Sequence, residues 1–154
     1  MTRYAADTAV SQEKSRSEIE ATLRRYGADE FYYANKATEA MIGFRIKERM
    51  VRFILKMPDP KDKAFTMTPT TQRPRSEQAA LEAWEQAGRQ RWRALALVIK
   101  AKLEAVSAGI TTVEDEFLAH TVLGDNRTVG ETIRPQIEEH YRIGGAPTLM
   151  LGHG

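Results

Sequence analysis

The sequence contains no cysteine. Structural disulfides and thiolate metal sites are therefore excluded, and a reducing, intracellular setting is compatible with the composition. No run approaches the roughly 18 apolar residues that a membrane-spanning helix needs. The first residues also lack the apolar segment of a signal peptide. These absences predict a soluble cytoplasmic protein without membrane contact.

Motifs of the common catalytic and cofactor-binding classes are missing as well. The sequence has no G-x-S-x-G nucleophile elbow, no H-E-x-x-H zinc motif and neither of the glycine-rich phosphate loops, G-x-x-x-x-G-K-[ST] and G-x-G-x-x-G. Its three histidines are not flanked by a serine motif. The sequence therefore predicts a protein that is not an enzyme, with no catalytic residues, no cofactor and no metal.

The most informative stretch that is present predicts a long amphipathic helix. Apolar residues recur at spacings of three or four over residues 77–106, which predicts one buried stripe. Ser76 is placed as the N-cap, and Gly109 as the residue that ends the helix. Residues 94–99 are apolar on every side, which predicts cover on more than one face. The stripe consists of Leu81, Trp84, Gly88, Trp92, Leu95, Ile99, Leu103 and Val106.

Ahead of this helix, the apolar pattern changes to the alternation of strands. Residues 31–33, 41–46 and 50–57 are predicted strands of an antiparallel meander, with a short connection at 47–49. In the third strand, Val51, Phe53, Leu55 and Met57 are expected to face the core, with Arg52 and Lys56 on the other face.

Proline and capping signals predict the remaining elements. A capping box at Ser15 opens an N-terminal helix. Four of the six prolines lie in residues 58–76, which argues against a regular helix there. Capping boxes at Thr111 and Thr128 open two further helices, the first running to about residue 122. Pro135 lies inside the second and leaves open whether it forms one helix or two.

The predicted fold class is α+β. Its parts are an N-terminal helix, a three-stranded antiparallel meander, a long proline-rich loop, a long central helix and two or three shorter C-terminal helices. One domain is expected over residues 1–154. Its predicted parts are a flexible N-terminus (1–14), a helix with strands (15–57), a loop (58–76), a helical part (77–143) and an apolar tail (144–154).

The strongest candidate site is basic. Five positive residues and no negative one lie between positions 89 and 102, and three of the five share one flank of the predicted helix. Such a surface binds the phosphates of nucleic acid, and the aromatic run 31–33 could supply stacking platforms for unpaired bases. The residues predicted to bind nucleic acid or phosphate are Arg89, Arg93, Lys100, Arg73, Arg75, Arg52 and Lys56.

Two other interpretations of these charged residues stay open. The cations also suit a solvated helix flank, since they lie toward the C-terminal end, and Glu85 and Arg89 are spaced as an i,i+4 pair. Glu116 and His120 have the spacing of two metal ligands on one helix, which would suit a metal-dependent enzyme. Acidic residues in a first turn are, however, what a helix N-terminus favours in any case.

Several whole segments resemble a family of small, uncharacterised phage and prophage proteins. The segments are SRSEIEATLRRYGADEFYYA, IGFRI, VRFILKMP and RWRALALVIKAKLEAVSAGITTVEDEFLAH, within residues 15–150. The resemblance implies a viral or mobile-element setting, where small accessory proteins bind DNA or RNA, or bind and block a host factor. It carries no catalytic motif, so it assigns no functional residue.

These observations lead to two functional hypotheses. The first is a non-enzymatic, phage-type accessory protein that binds nucleic acid through a basic surface in the cytoplasm of a bacterial host. The alternative is a binder or inhibitor of a host factor, a protein or a nucleotide-like signal, acting as a homo-oligomer, for example in counter-defence. The proline-rich loop, the apolar tail and residues 94–99 motivate this alternative.

Overall fold

The computed structural model describes residues 3–36, 38–145 and 147–149, with side chains from Gln12 onward. The predicted α+β architecture is confirmed: an N-terminal helix, a three-stranded antiparallel sheet, a long central helix and shorter C-terminal helices. In chain order the elements are α1 (Arg3–Arg25), β1 (Glu30–Asn35), β2 (Glu39–Ile46), β3 (Arg49–Lys56), α2 (Lys63–Thr66), α3 (Glu77–Ser107), α4 (Val113–Glu116), a 3-10 turn (Leu118–His120) and α5 (Val129–Gly144).

The strands form a meander in the order β1-β2-β3. Successive side chains point to opposite faces of the sheet, so one face of each strand is apolar and meets the helices. On β3, Val51 and Phe53 are buried, whereas Arg52 and Lys56 point to the outer face, as predicted. On β2, the buried residues of the inner face are Ala40, Ile42, Phe44 and Ile46.

The turn between β2 and β3 holds two non-glycine residues in the left-handed region. Lys47 has φ 47° and Glu48 has φ 63°. Ile46 pairs with Arg49, so the turn has two residues, one fewer than the predicted connection 47–49. A two-residue turn with both φ values positive is type I′, which prefers Asn-Gly because these residues tolerate the left-handed region.

Replacing Lys47 with asparagine and Glu48 with glycine is expected to raise the free energy of unfolding by about 1 kcal/mol, because a left-handed residue with a Cβ costs about 1–2 kcal/mol. Urea unfolding measures the change. Glu48→Ala is the matched control, since it removes the same side chain and keeps the Cβ. An equal gain from the alanine variant would show that backbone conformation is not the cause.

Helices α1 and α3 lie side by side and run in the same direction. The site of a Cβ on Gly88 lies 3.3 Å from Nε2 of Gln12, and the Arg16 guanidinium lies 5.9 Å from the centre of the Trp92 ring. The second contact lies four residues beyond the first on each helix, so the two helices run in the same direction. The helices bury Ile19, Leu23, Trp92, Leu95, Ile99 and Leu103 in one cluster with the sheet.

The predicted start of the N-terminal helix at Ser15 is wrong. Helix α1 begins at Arg3, so Ser15 lies inside it and cannot be an N-cap. A capping box shows where a helix is able to begin, but alanine, glutamine and glutamate ahead of it favour continuation. The predicted flexible segment 1–14 is therefore helical from Arg3 onward. Helix α1 ends at Arg25, and Gly27 (φ 96°) follows it in the left-handed region.

The ends of α3 lie where the sequence predicted them, but its burial by neighbouring elements differs from the prediction. The Ser76 hydroxyl accepts a hydrogen bond from the Ala79 amide (3.2 Å), and Gly109 (φ 75°) follows the helix. Leu97 and Val98 are 61% and 44% exposed, so the predicted cover of residues 94–99 on more than one face is wrong. Within residues 94–99, Leu95 and Ile99 are the buried residues, and they belong to the cluster shared with α1 and the sheet.

The proline-rich loop contains a short helix, contrary to the prediction. Helix α2 is capped by Asp62, whose carboxylate accepts a hydrogen bond from the Ala64 amide (2.9 Å). No proline interrupts it, since Pro60 and Pro69 lie on either side of α2. The loop is also fixed to α3, because Nε1 of Trp84 donates to the Pro58 carbonyl (2.6 Å).

After α3, the chain forms less helix than predicted. The cap of α4 is Thr112, not Thr111, and α4 ends at Glu116 instead of continuing to residue 122. The Val122 amide donates to the Met50 carbonyl (2.8 Å) at the edge of the sheet. A backbone amide bonded to a strand is not available to a helix, so the sheet edge ends the helical segment.

Helix α5 is continuous across Pro135, so of the two alternatives that the sequence left open, one helix and not two is formed. Proline lacks the amide that would bond to the Glu131 carbonyl. The Arg127 guanidinium donates to that carbonyl instead (3.1 Å) and satisfies it. The predicted cap at Thr128 and the predicted end at Gly144–Gly145 are confirmed. Of the predicted tail, residues 146 and 150–154 lie outside the described residues, and Leu149 is fully exposed.

Candidate nucleic-acid interface

A groove runs between α1 and α3 on the side of the helix pair that is turned away from the buried cluster. It consists of two adjoining cavities of about 540 and 430 Å³, and both are bordered by Glu18 and Arg93. We call it the basic groove. Its lining residues are Lys14, Ser15, Glu18, Ala21, Thr22 and Arg25 from α1, and Gln86, Arg89, Gln90, Arg93, Ala96, Leu97 and Lys100 from α3.

The lining of the basic groove is strongly positive. Five cationic side chains and one carboxylate border the two cavities. The formal net charge of the whole chain is only +2, so acidic residues outnumber basic ones over the rest of the protein. At 1.5 Å per residue, Arg89 and Arg93 lie about 6 Å apart along α3, and Lys100 lies about 10 Å further on. The excess positive charge is therefore concentrated along one line.

Two cations of the groove, Arg93 at its centre and Lys100 at one end, are not engaged by the described part of the protein. Within the described part of the chain, Arg93 and Lys100 form no ion pair and no side-chain hydrogen bond, and both are exposed. Arg89 interacts with another group of the chain. Arg25 makes one long hydrogen bond of 3.4 Å to the Thr22 hydroxyl. The groove can thus offer cationic donors to an anionic chain without first breaking an internal ion pair.

The predicted site residues on the sheet lie away from the groove. The Arg52 guanidinium donates to the carbonyl (2.9 Å) and the side-chain oxygen (3.3 Å) of Asn126 and lies 3.5 Å from the Glu131 carboxylate. It thus connects β3 to the turn before α5. Lys56 is exposed at the end of β3. Both point to the outer face of the sheet, whereas α1 and α3 cover the inner face.

Arg73 and Arg75 occupy a third location, in the loop before α3. The Arg75 amide donates to the Thr66 carbonyl (2.8 Å), and the Thr68 amide donates to the Arg73 carbonyl (2.8 Å), which gives the loop a hairpin-like shape. From the start of α3, Arg89 is about 20 Å further along the helix axis. The seven predicted residues therefore divide among three places, and of these seven Arg89, Arg93 and Lys100 line the basic groove.

The aromatic residues 31–33 do not border the groove either. Tyr32 is 49% exposed on the outer face of the sheet, where its hydroxyl donates to Glu30 (2.9 Å). Phe31 and Tyr33 are half-buried on the helix side. The Arg24 guanidinium lies 4.6 Å from the centre of the Phe31 ring, and burial raises the pKa of Tyr33 to about 12, with Glu20 adding to the shift. Tyr32 alone of the three presents an open ring.

Glu116 and His120 are not arranged as metal ligands. Since α4 ends at Glu116, the predicted helical i,i+4 relation between them does not exist. The Glu116 carboxylate lies 3.2 Å from the Lys102 amine, and the His120 ring stacks on Phe53 with centres 4.0 Å apart. Burial lowers the pKa of His120, and Lys102 lowers it further. Among the described residues, no three potential ligands come together to hold a metal.

Lys14 and Arg25 belong to the groove, but the sequence reasoning did not include them. Lys14, Glu18 and Arg25 repeat at helical spacing and so share one face of α1. That spacing was readable from the sequence. That this face borders the Arg93 flank of α3 depends on the parallel pairing of the two helices, for which the sequence carries no local signal.

Within residues 3–36, 38–145 and 147–149, no helix has the length and apolar character required to cross a membrane. Comparison of the chain with family models, with curated proteins and with solved structures found no match.

Proposed function

We propose that this protein is a non-enzymatic binder of nucleic acid and that the basic groove is its binding surface. The observation that carries the proposal is the groove lining, in which five cations face one carboxylate. Arg93 at its centre and Lys100 at one end make no internal ion pair in the described chain. A row of cations that includes two without protein partners suits a polyanion, whose binding releases counterions.

The proposed contacts are with the phosphate backbone. The described residues of the lining contribute guanidinium, amine, amide and hydroxyl groups but no aromatic ring on which a base could stack. Phosphate contacts fix the position of a nucleic acid without reading its sequence. Binding in the groove should therefore be independent of base sequence and sensitive to salt.

The setting that we propose is a phage or mobile element, with the protein acting in the cytoplasm of a bacterial host. This part rests on the resemblance of whole sequence segments to small phage and prophage proteins, and no comparison adds to it. An accessory protein with a sequence-independent groove would cover or sequester nucleic acid during infection.

The test is a binding titration of fluorescent oligonucleotides at several salt concentrations, with separate single- and double-stranded DNA and RNA. Four net positive charges predict a slope of log Kobs against log[salt] of about −3 to −4, since each neutralised phosphate contributes about −0.7 to −0.9. A slope near zero would remove the electrostatic basis of the proposal. Absence of binding to all four probes at low salt would overturn the function itself.

A second candidate function is the oligomeric binder or inhibitor of a host factor, either a protein or a nucleotide-like signal. The observation that favours it is the exposed apolar stripe of α5, where Ile137 and Tyr141 are 50% and 56% exposed. Exposed apolar patches mark interaction sites more often than scattered apolar residues do. A strictly monomeric mass over a wide concentration range would count against this candidate.

A further inference from the structure

Helix α5 leaves the body of the protein after its first turn. At that turn, Gly130 approaches the Ala119 carbonyl so closely that a Cβ would lie 3.0 Å from the oxygen. From Ile133 to the end of the helix every side chain is exposed. An isolated helix of this length is marginal in water, and most helical stability comes from packing an apolar face. The exposed part of α5 therefore lacks the cover that amphipathic helices normally have.

One face of this helix is apolar. At about 100° per residue, Ile133, Ile137 and Tyr141 fall within about 80° of one another and form a stripe. Their exposed fractions are 38%, 50% and 56%. We call these three residues the α5 stripe. No described residue of the chain covers it, so this face is open to a second molecule.

The flank beside the stripe carries charges that alternate in sign. From the N-terminal end they are Glu131, Arg134, Glu138 and Arg142. The outer two have partners, since Glu131 pairs with Arg52 and Arg142 pairs with Glu139. Arg134 and Glu138 form no ion pair within the described part of the chain. Two unpaired opposite charges thus lie one helical turn apart on the same flank.

We propose that the α5 stripe is covered by α5 of a second copy of this chain, packed antiparallel about a two-fold axis near Gln136. In an antiparallel pair, identical flanks of the two helices meet. The axis at residue 136 places Arg134 of each copy opposite Glu138 of the other, so both unpaired charges gain a partner. The same axis places Ile133 of one copy between Ile137 and Tyr141 of the other, as knobs enter holes.

A parallel pair would not satisfy these groups. It would set the charged flank against the opposite flank of the partner helix, which carries Gln136, His140 and Ile143 and no acidic or permanently basic side chain. Arg134 and Glu138 would then remain unpaired. The charge pattern therefore selects both the partner, which is a second copy, and its direction.

The contact covers only about three helical turns per copy. Interfaces this small form weak, reversible complexes, so we expect a dissociation constant in the micromolar range. Sedimentation equilibrium from about 1 to 500 μM should show a shift from the monomer mass of 17.4 kDa toward twice that value. A single 17.4 kDa species at every concentration would overturn the proposal.

Ile137→Asp places a charge in the centre of the stripe and should raise the dissociation constant at least about 100-fold. Ile137→Leu is the matched control and should leave the constant within about threefold, since it keeps the apolar volume. Because Ile137 is exposed in the single chain, both variants should keep the circular dichroism of the parent. Equal dimerisation by the aspartate variant would exclude the stripe as the interface.

Charge exchange gives a test that general effects on α5 cannot mimic. Arg134→Glu alone and Glu138→Arg alone each place like charges opposite one another and should weaken the homodimer about tenfold. Mixed together, the two variants can form a heterodimer in which both cross-pairs have opposite signs. Restored dimerisation in the mixture supports the antiparallel pairing. A mixture as weak as its components would exclude it.

The direction can be measured separately, because the chain has no cysteine and a single introduced thiol is unique. Spin labels on Gln136→Cys should lie close together across the axis. Labels on Gly144→Cys should lie about 24 Å further apart along the helix axis. Equal label distances at both positions would indicate a parallel pair and contradict the proposal. No residue of α5 lines the basic groove, so these results are independent of nucleic-acid binding.

Discussion

Phe44→Ala is expected to lower the free energy of unfolding by about 3–5 kcal/mol, the largest stability effect predicted for any single residue here. Phe44 lies on the central strand and is fully buried. Its ring centre lies 6.4 Å from that of Phe53 and meets Phe117 edge-on at 5.6 Å. Removing it leaves a cavity that a central strand cannot close, because β2 is hydrogen-bonded on both sides.

The consequence of Phe44→Ala is large compared with the total stability of a typical domain, which is about 5–15 kcal/mol. Urea unfolding followed by circular dichroism measures it. Tyr32→Ala is the control, because Tyr32 lies on the outer face of neighbouring β1 and is 49% exposed. We expect that variant to lose less than about 1 kcal/mol. Equal losses from the two variants would contradict the assignment of the core to the inner face of the sheet.

The parts of the fold that the sequence predicted correctly are those with local causes. The stripe that includes Trp92 and Ile99 repeats at helical spacing, and Ser76 and Gly109 act on residues next to them. Strand faces follow from alternation alone, which is why Phe53 and Arg52 were placed on the correct sides. Caps and periodicity need no knowledge of distant contacts.

One prediction that failed depends on residues far apart in the sequence. The helical segment expected to reach residue 122 ends at His120, and the Val122 amide bonds to Met50 on β3. That contact has no sequence signal. Other differences have local causes: helix formers ahead of Ser15 extend α1, and the Glu131 carbonyl left free by Pro135 accepts from Arg127, only four residues away. Local rules therefore predicted where helices are able to form better than where they begin and end.

The candidate site shows the same division between local and distant causes. The sequence placed Arg89, Arg93 and Lys100 on one flank of α3, because spacing along a helix is local. It could not show that α1 adds further cations beside that flank. Nor could it show that Arg52 is held by Asn126. Charge alone does not distinguish an arginine that binds a ligand from one that joins two parts of the same chain.

Reversing two groove charges, Arg93→Glu with Lys100→Glu, is expected to weaken nucleic-acid binding about 100-fold or more at roughly 100 mM salt and to flatten its salt dependence. The double variant changes the net charge of the groove lining by four, which cancels its excess of four cations over acids. A groove without net charge releases few counterions, so the slope of log Kobs against log[salt] should approach zero. Both side chains are exposed, and the fold should be unaffected.

The matched control is Lys56→Glu with Arg73→Glu, which changes the net charge of the protein by the same amount outside the groove. Both residues were predicted from the sequence to bind phosphate, and neither lines the basic groove. If the groove is the binding surface, the control variant should lose less than about threefold, through long-range electrostatics that salt screens. Equal losses from the two double variants would show that binding follows overall charge and that the groove has no special role. A larger loss of affinity in the control variant would indicate that nucleic acid binds at Lys56 and Arg73 instead of in the groove.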